Sequence, residues 1–294
     1  MNTTWERPQR SVDLVGFGRR MWRRSPITLV GALLLLLIGG AIAGAPVMTR
    51  HDPDRQVAAA RLQRPSLEHW FGTDRYGRDL FARVLFGGRT TLVASGLALT
   101  LVIAIGLSSG IVAGYVGGWL DRLLMRLVDA LLAFPSTVLA LVVVGLFGTG
   151  LPNILTALVS VWWVAFARVT RSVALQARHE PAVEAARALG ARHHTIILRE
   201  ILPRTAGPVL VLATLELGHL ILTIASLSFL GLGAQPPSAE WGAMLADGRA
   251  YMLTAPHIIV APALAMFATV LALNLLGEGL RDLLDPGSAT RQEH

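Results

Sequence analysis

The chain has 294 residues, 53% of them hydrophobic and only 15% charged, with a net charge of +7. Soluble domains carry roughly 25% charged residues, so this composition excludes an ordinary soluble domain and points to a polytopic membrane protein. All 26 basic residues are Arg. Without Lys the phosphate-binding loop G-x-x-x-x-G-K-S/T is excluded. Without Cys so are thiolate metal sites.

The N-terminal tail, 1–26, carries Arg7, Arg10, Arg19, Arg20, Arg23 and Arg24. Ser25 to Thr49 is uncharged. Ala43-Gly44-Ala45 looks like a signal cleavage site, but the run exceeds the 7–15 residues of a signal core. A retained first transmembrane helix over 27–44 is expected. The segment 45–87 is polar and reads as an outer loop. It holds FGTDRYGRD, where Asp74, Asp79, Arg75 and Arg78 are expected to pair with one another and cap the loop. Thr90 to Leu120 is long enough to span, since a helix needs about 20 residues. Gly106, Gly110, Gly114 and Gly118 recur every fourth residue and would let a neighbouring backbone approach, although Gly117-Gly118 fits a turn better. Ala130 to Ala167 has 38 uncharged residues. As one helix it would run about 57 Å, nearly twice the hydrocarbon thickness. It must turn, and Gly145, Gly148, Gly150, Pro152 and Asn153 supply the break. Spans are expected near Leu123–Phe147, with Pro135 as a tolerated kink, and Leu151–Arg168. Further spans follow at Gly207–Gly231 and Pro256–Gly279. Between them lies a polar outer loop whose Trp241 and Tyr251 suit the membrane interface.

Between the fourth and fifth spans lies a polar island, EAARALGARHHTIILREILP, from Glu184 to Pro203. Pro181 suits a first helical turn. Gly190 interrupts, and a second short helix is expected to end at Pro203. This stretch resembles the cytoplasmic loop shared by permease subunits of ABC importers: E-A-A, three residues, G, nine residues, I-x-L-P. Glu184, Ala185, Ala186, Gly190, Leu202 and Pro203 match in register, while Glu200 stands where the pattern has Ile. The resemblance implies that Glu184, Ala185, Ala186, Gly190, Ala191, Arg192, Leu202 and Pro203 form the loop that docks on an ATPase subunit. FGTDRYGRD, through Phe71, Gly72, Asp74, Gly77, Arg78 and Asp79, is similar to the signature after the first span in peptide and nickel permeases. GYVGGWLDRLLMRLVD, SFLGLGAQPPSAEWG and LRDLLDP add to that match.

The resemblance implies an all-α type I permease with six transmembrane helices. A five-helix core over 88–279 contains the coupling loop 171–206, and the tail 280–294 lies in the cytoplasm with the N-terminus. It implies a bacterial inner-membrane protein that is not itself an enzyme. The implied partners are a sister permease in a heterodimer, two ATPase subunits that use the ATP, and an extracytoplasmic solute-binding protein. No cofactor on this chain, no certain metal site and no nucleic acid are expected. Seventeen arginines fall on the proposed inner side and nine on the outer, in line with positive-inside orientation. A stand-alone secondary transporter or channel is the rival, but no repeat relates the two halves. A membrane-bound metalloenzyme is a third reading. His179, His193 and His194 lack H-x-x-x-H or H-E-x-x-H spacing and read as solvated loop residues.

Glu216 and His219 stand in an otherwise apolar run near the middle of the fifth span. An ionisable side chain there is costly and faces a bundle interior or a water-filled path. Three residues apart, the two share a face. They read either as a packing pair or as part of the permeation path, where imidazole and carboxylate suit a divalent metal. ATLELGHLIL looks more like the nickel permeases than the dipeptide ones, so nickel is the expected cargo and a dipeptide or oligopeptide the alternative.

Overall fold

The structure is a computed structural model and describes residues 26–284. The expected N-terminal tail and most of the C-terminal tail therefore lie outside the described residues. Among these the fold is helical, with one isolated bridge between Thr73 and Asp79. Five helices are long and apolar enough to cross a membrane, and one sharply bent pair makes a sixth crossing if counted as one span.

Helix α1 (Pro26–Ala43) packs along the last helix, α10 (His257–Leu284). Gly31 permits the approach: a Cβ there would lie 2.7 Å from the Leu276 nitrogen. Helix α2 (Leu80–Ile111) continues through a π-turn, Val112–Val116. It starts inside the segment 45–87, because the Asp79 side chain accepts a hydrogen bond from Ala82 N at 2.7 Å and caps it. The loop is thus shorter than expected, and the core begins before residue 88.

Helix α2 packs most extensively on α5 (Leu151–Arg178). A Cβ at Gly106, Gly110 or Gly114 would stand 2.7, 2.6 or 2.7 Å from the carbonyl oxygens of Trp163, Ala167 and Arg171. Both series advance by four residues, so the two backbones run in contact over two turns, and any larger residue would wedge them apart. Gly118 has open space around it and φ +68, so it serves the turn.

The expected span Leu123–Phe147 is not one kinked helix. It is α3 (Gly118–Leu132) and α4 (Ser136–Phe147), bent by 90°. Pro135 sits at the N-cap of α4 with extended ψ of 124°, a conformation that starts a helix rather than continuing one. The turn from α4 to α5 is closed by Asn153, whose Nδ2 donates to Phe147 O at 3.0 Å and Gly148 O at 3.1 Å.

Helix α6 (Pro181–Ala188) is followed by α7 (His193–Ile196), a π-turn (Ile197–Ile201) and α8 (Leu202–Phe229). The second short helix does not end at Pro203: the chain is helical from His193 to Phe229. The π-turn widens the ladder just before the proline, which has no N–H to give. Arg204 donates to the backbone carbonyl of Glu200. The coupling segment 171–206 is therefore mostly helix.

The expected outer loop before α10 contains α9 (Trp241–Gly248). Trp241 is buried rather than interfacial, and its Nε1 donates to Val84 O at 2.9 Å. Glu240, fully buried, caps α9 by accepting from Gly242 N and Ala243 N, both at 2.9 Å. Tyr251 remains half-buried. Leu36, Leu146 and Phe267 point outward, at 73%, 79% and 63% exposure, as lipid-facing residues do.

The Phe71–Asp79 motif and the Glu184 segment lie at opposite ends of this bundle, since α2 runs from the first end to the second. Single cysteines carry no background in a chain without Cys. A cysteine at Leu67, 98% exposed, is expected to react with an impermeant maleimide on intact cells. One at the exposed Arg192 should react only after permeabilisation. The reverse pattern would invert the orientation.

Candidate functional site

At the second end, α6 presents Glu184, Ala185, Ala188 and Leu189 to solvent and buries Val183. Its C-terminus is built by Gly190 at φ +77. Ala191 N donates to Ala186 O at 3.0 Å and Gly190 N to Arg187 O at 2.9 Å. These two bonds make a Schellman cap, which needs a left-handed residue and favours glycine there. Gly190 and Arg192 are exposed, Ala186 and Ala191 half-buried. Leu189 is 88% exposed, an apolar tip on a polar loop.

The tip has a firm mount. Ile111, Tyr115, Ala174, Ala177, Val183, Ile196 and Ile201 form a small core beneath it. The Tyr115 hydroxyl lies 2.7 Å from His193 Nδ1, and the Arg187 guanidinium stacks 5.1 Å from the Tyr115 ring. Arg204 bridges Glu180 at 2.9 Å and Glu200 at 3.0 Å, tying α6 to α8. Leu202 and Pro203 lie in the first turn of α8, beside this bridge and not at the tip. Asp121 and Arg171 join α3 to α5 through a two-pronged pair at 2.5 and 2.8 Å. Packing and polar contacts thus join the tip to α2, α5 and α8, and through α5 to α3.

In the middle of α8, Glu216 and His219 stand on one face, with Oε2 and Nδ1 3.6 Å apart. Trp162 of α5 donates its indole N–H to the same Glu216 oxygen at 3.1 Å. The Glu216 side chain is largely buried, while that of His219 is 67% exposed. Spacing on one helix gave the Glu–His contact but held no sign of Trp162. The pair acquires no third metal-ligating side chain: among the described residues the one such group of three lies elsewhere.

At the first end the charged motif is divided among partners. Asp74 Oδ2 accepts from Arg78 Nε at 2.6 Å and faces Arg83 Nε at 3.7 Å. Its Oδ1 accepts from Tyr76 N at 2.8 Å and Arg78 N at 3.0 Å. Arg75 does not pair within the motif; it binds Asp247 at 2.8 Å. Asp79, besides capping α2, meets His69 Nδ1 at 2.8 Å. Asp74, Arg78, Asp79 and Arg83 are all buried. Gly72 (φ +79) and Gly77 (φ +75) let the loop fold back on Gln63 and Val57. Phe71 packs edge-on against Phe81 at 5.2 Å. This is a folded clamp, and it positions α2 and α9. Arg83 and Asp247 were missed from the sequence; an arginine inside an apolar helix start was the available signal for the first.

Residues 106–289 match the family described as binding-protein-dependent transport system inner membrane component. The chain belongs to this family. It is a membrane permease of the ABC-importer class, a transporter rather than an enzyme, and works with ATPase and binding-protein partners in general. The permease is 47% identical over 268 residues to the glutathione transport system permease protein GsiD of Escherichia coli O6:K15:H31, covering 91% of this chain and 88% of that one. The protein of the same name from Shigella boydii serotype 4 matches equally, and that from Shigella dysenteriae serotype 1 is 46% identical over the same span. A crystal structure of an amino acid ABC transporter with histidines aligns with a TM-score of 0.53 at 19% identity, over 69% of this chain and 94% of that one. That likeness bears on the fold alone and agrees with a type I permease.

Proposed function

We propose that this permease forms half of the translocation path of an importer for short peptides, glutathione-like tripeptides among them. The observation that carries the cargo is its 47% identity, over 91% of its length, to permeases named for glutathione transport. This replaces nickel as the first reading. Among the described residues Glu216 and His219 are joined by no third metal-ligating side chain, and the Trp162 indole holds Glu216 Oε2. The pair reads better as a polar contact that fixes α8 against α5 beside the path.

In this proposal a sister permease supplies the other half of the path. Two ATPase subunits receive the loop tip of Glu184, Ala185, Leu189, Gly190 and Arg192, and the Phe71–Asp79 end faces a solute-binding protein outside the inner membrane. The firm mount of the tip on α2, α5 and α8 supports that role, because a docking element must transmit force rather than flex.

Uptake of labelled glutathione, a labelled dipeptide and radioactive nickel in cells carrying the complete transporter tests the cargo. Peptide or glutathione uptake dependent on this chain is expected, with nickel uptake at the level of the deletion strain. His219→Ala should leave peptide uptake within about twofold, whereas Glu216→Gln leaves the indole N–H with a weaker acceptor and should lower it further. Nickel uptake that depends on the chain and is lost in both variants would restore the metal reading.

A further inference from the structure

Within the loop at the Phe71 end, His51, His69 and Asp79 bring one ligand atom each to within 4.8 Å of one another. We propose that these three side chains form a site for a borderline-soft divalent cation of the zinc class, stapling the segment that follows α1 to the N-terminus of α2. The inference is independent of the cargo, and its test reads binding and stability rather than uptake.

The geometry fits. Bonds of about 2.0–2.2 Å in a tetrahedral site place neighbouring ligand atoms about 3.3 Å apart. Asp79 Oδ2 lies 2.8 Å from His69 Nδ1 and 3.8 Å from His51 Nδ1, values that bracket this edge. The two imidazoles face each other with centroids 4.9 Å apart. The third edge, between the two imidazoles, lies within 4.8 Å and closes by rotation of the partly exposed His51 ring toward the ion.

The site is also held in place. Asp79 Oδ1 is committed to Ala82 N at 2.7 Å, which orients the carboxylate and leaves Oδ2 for the ion. Such support around a ligand fixes its direction. The His69 backbone is pinned on both sides: its N–H donates to Ser66 Oγ at 3.0 Å, and its carbonyl accepts from Ser66 N at 2.8 Å and Gly72 N at 2.9 Å. His69 and Asp79 are buried, whereas the His51 side chain is 35% exposed. His51 and Asp79 border a cavity of about 580 Å³, through which an ion would enter and a water would occupy the fourth position. Arg50 and Glu68 line the same cavity and offset each other in charge. Two imidazoles and one carboxylate suit zinc better than calcium or magnesium, which ask for more oxygen ligands.

The test uses the full chain in lipid nanodiscs, purified without a histidine tag and stripped with EDTA. Titration with zinc chloride is followed by calorimetry and by thermal unfolding, and cobalt(II) reports the coordination geometry. Wild type is expected to bind one zinc ion per chain, to show the visible bands of tetrahedral cobalt, and to melt about several degrees higher when saturated. His51→Ala removes a partly exposed ligand and should weaken binding by at least about tenfold without changing the melting point of the stripped protein. His69→Gln should weaken it similarly but lower that melting point, because it also breaks a buried bond to Asp79. His194→Ala, on the opposite end, should leave the affinity unchanged. The proposal is overturned if no saturable one-to-one binding occurs, or if His51→Ala binds zinc as tightly as wild type.

Discussion

Asp74→Ala is expected to lower the stability of the permease by about 3–5 kcal/mol, the usual cost of removing one partner from a buried ion pair. The carboxylate sits between Arg78 at 2.6 Å and Arg83 at 3.7 Å, with the side chains of all three at most 6% exposed. Without it two guanidinium groups face each other in a buried site, and the N–H groups of Tyr76 and Arg78 lose their acceptor. Arg83 keeps contacts at 3.0 Å to Pro53 O and to Asp54, but Asp54 is 47% exposed and its charge is screened by water. Asp54→Ala should therefore cost less than about 1 kcal/mol. Thermal unfolding of the two variants in the same detergent separates the claims. A melting-point drop in Asp74→Ala no larger than in Asp54→Ala would mean that the clamp contributes little.

The second large effect is on transport. Gly190→Trp is expected to abolish uptake while the permease still inserts and assembles at normal level. Gly190 is exposed with no atom near its missing Cβ, so a side chain there meets no obstacle inside this chain. It meets instead whatever docks on the tip, and it also strains the backbone at φ +77. The left-handed conformation costs an ordinary residue about 1–2 kcal/mol, and Asn tolerates it best after glycine. Gly190→Asn should thus retain most of the uptake, with Gly190→Val intermediate. ATP hydrolysis by the purified complex should lose its dependence on the solute-binding protein in Gly190→Trp. Wild-type uptake by that variant would remove the tip from the coupling surface.

How far the sequence reaches is visible at particular positions. The glycines at 106, 110 and 114 announce a close helix contact by their spacing alone, and the contact is there, against the backbone of α5. Gly190 announces a break in the polar island and sits in a Schellman cap. The need for a turn within Ala130–Ala167 follows from length, and the chain turns at Gly148–Gly150. Each of these rests on local chemistry: glycine lacks a Cβ, and a helix rises by a fixed amount per residue.

Other features depend on residues far apart in the chain. A proline at position 135 breaks its helix by 90° while one at 203 lies within a continuous helical run, because the second falls in the first turn after a π-turn, where its missing N–H is tolerated. Trp241 looks like an interface anchor until Val84, 157 residues away, accepts its indole proton. Glu216 was seen with its neighbour on the same helix and not with Trp162, 54 positions earlier. Arg75 leaves the acids beside it for Asp247, 172 positions on. The sequence by itself determined that the chain spans a membrane several times, that Ala130–Ala167 must turn at its glycines, and which face of α2 is small. Tertiary structure alone decided which charges are buried together, since a charge taken out of water must meet a partner, and that partner is chosen by the packing of whole helices.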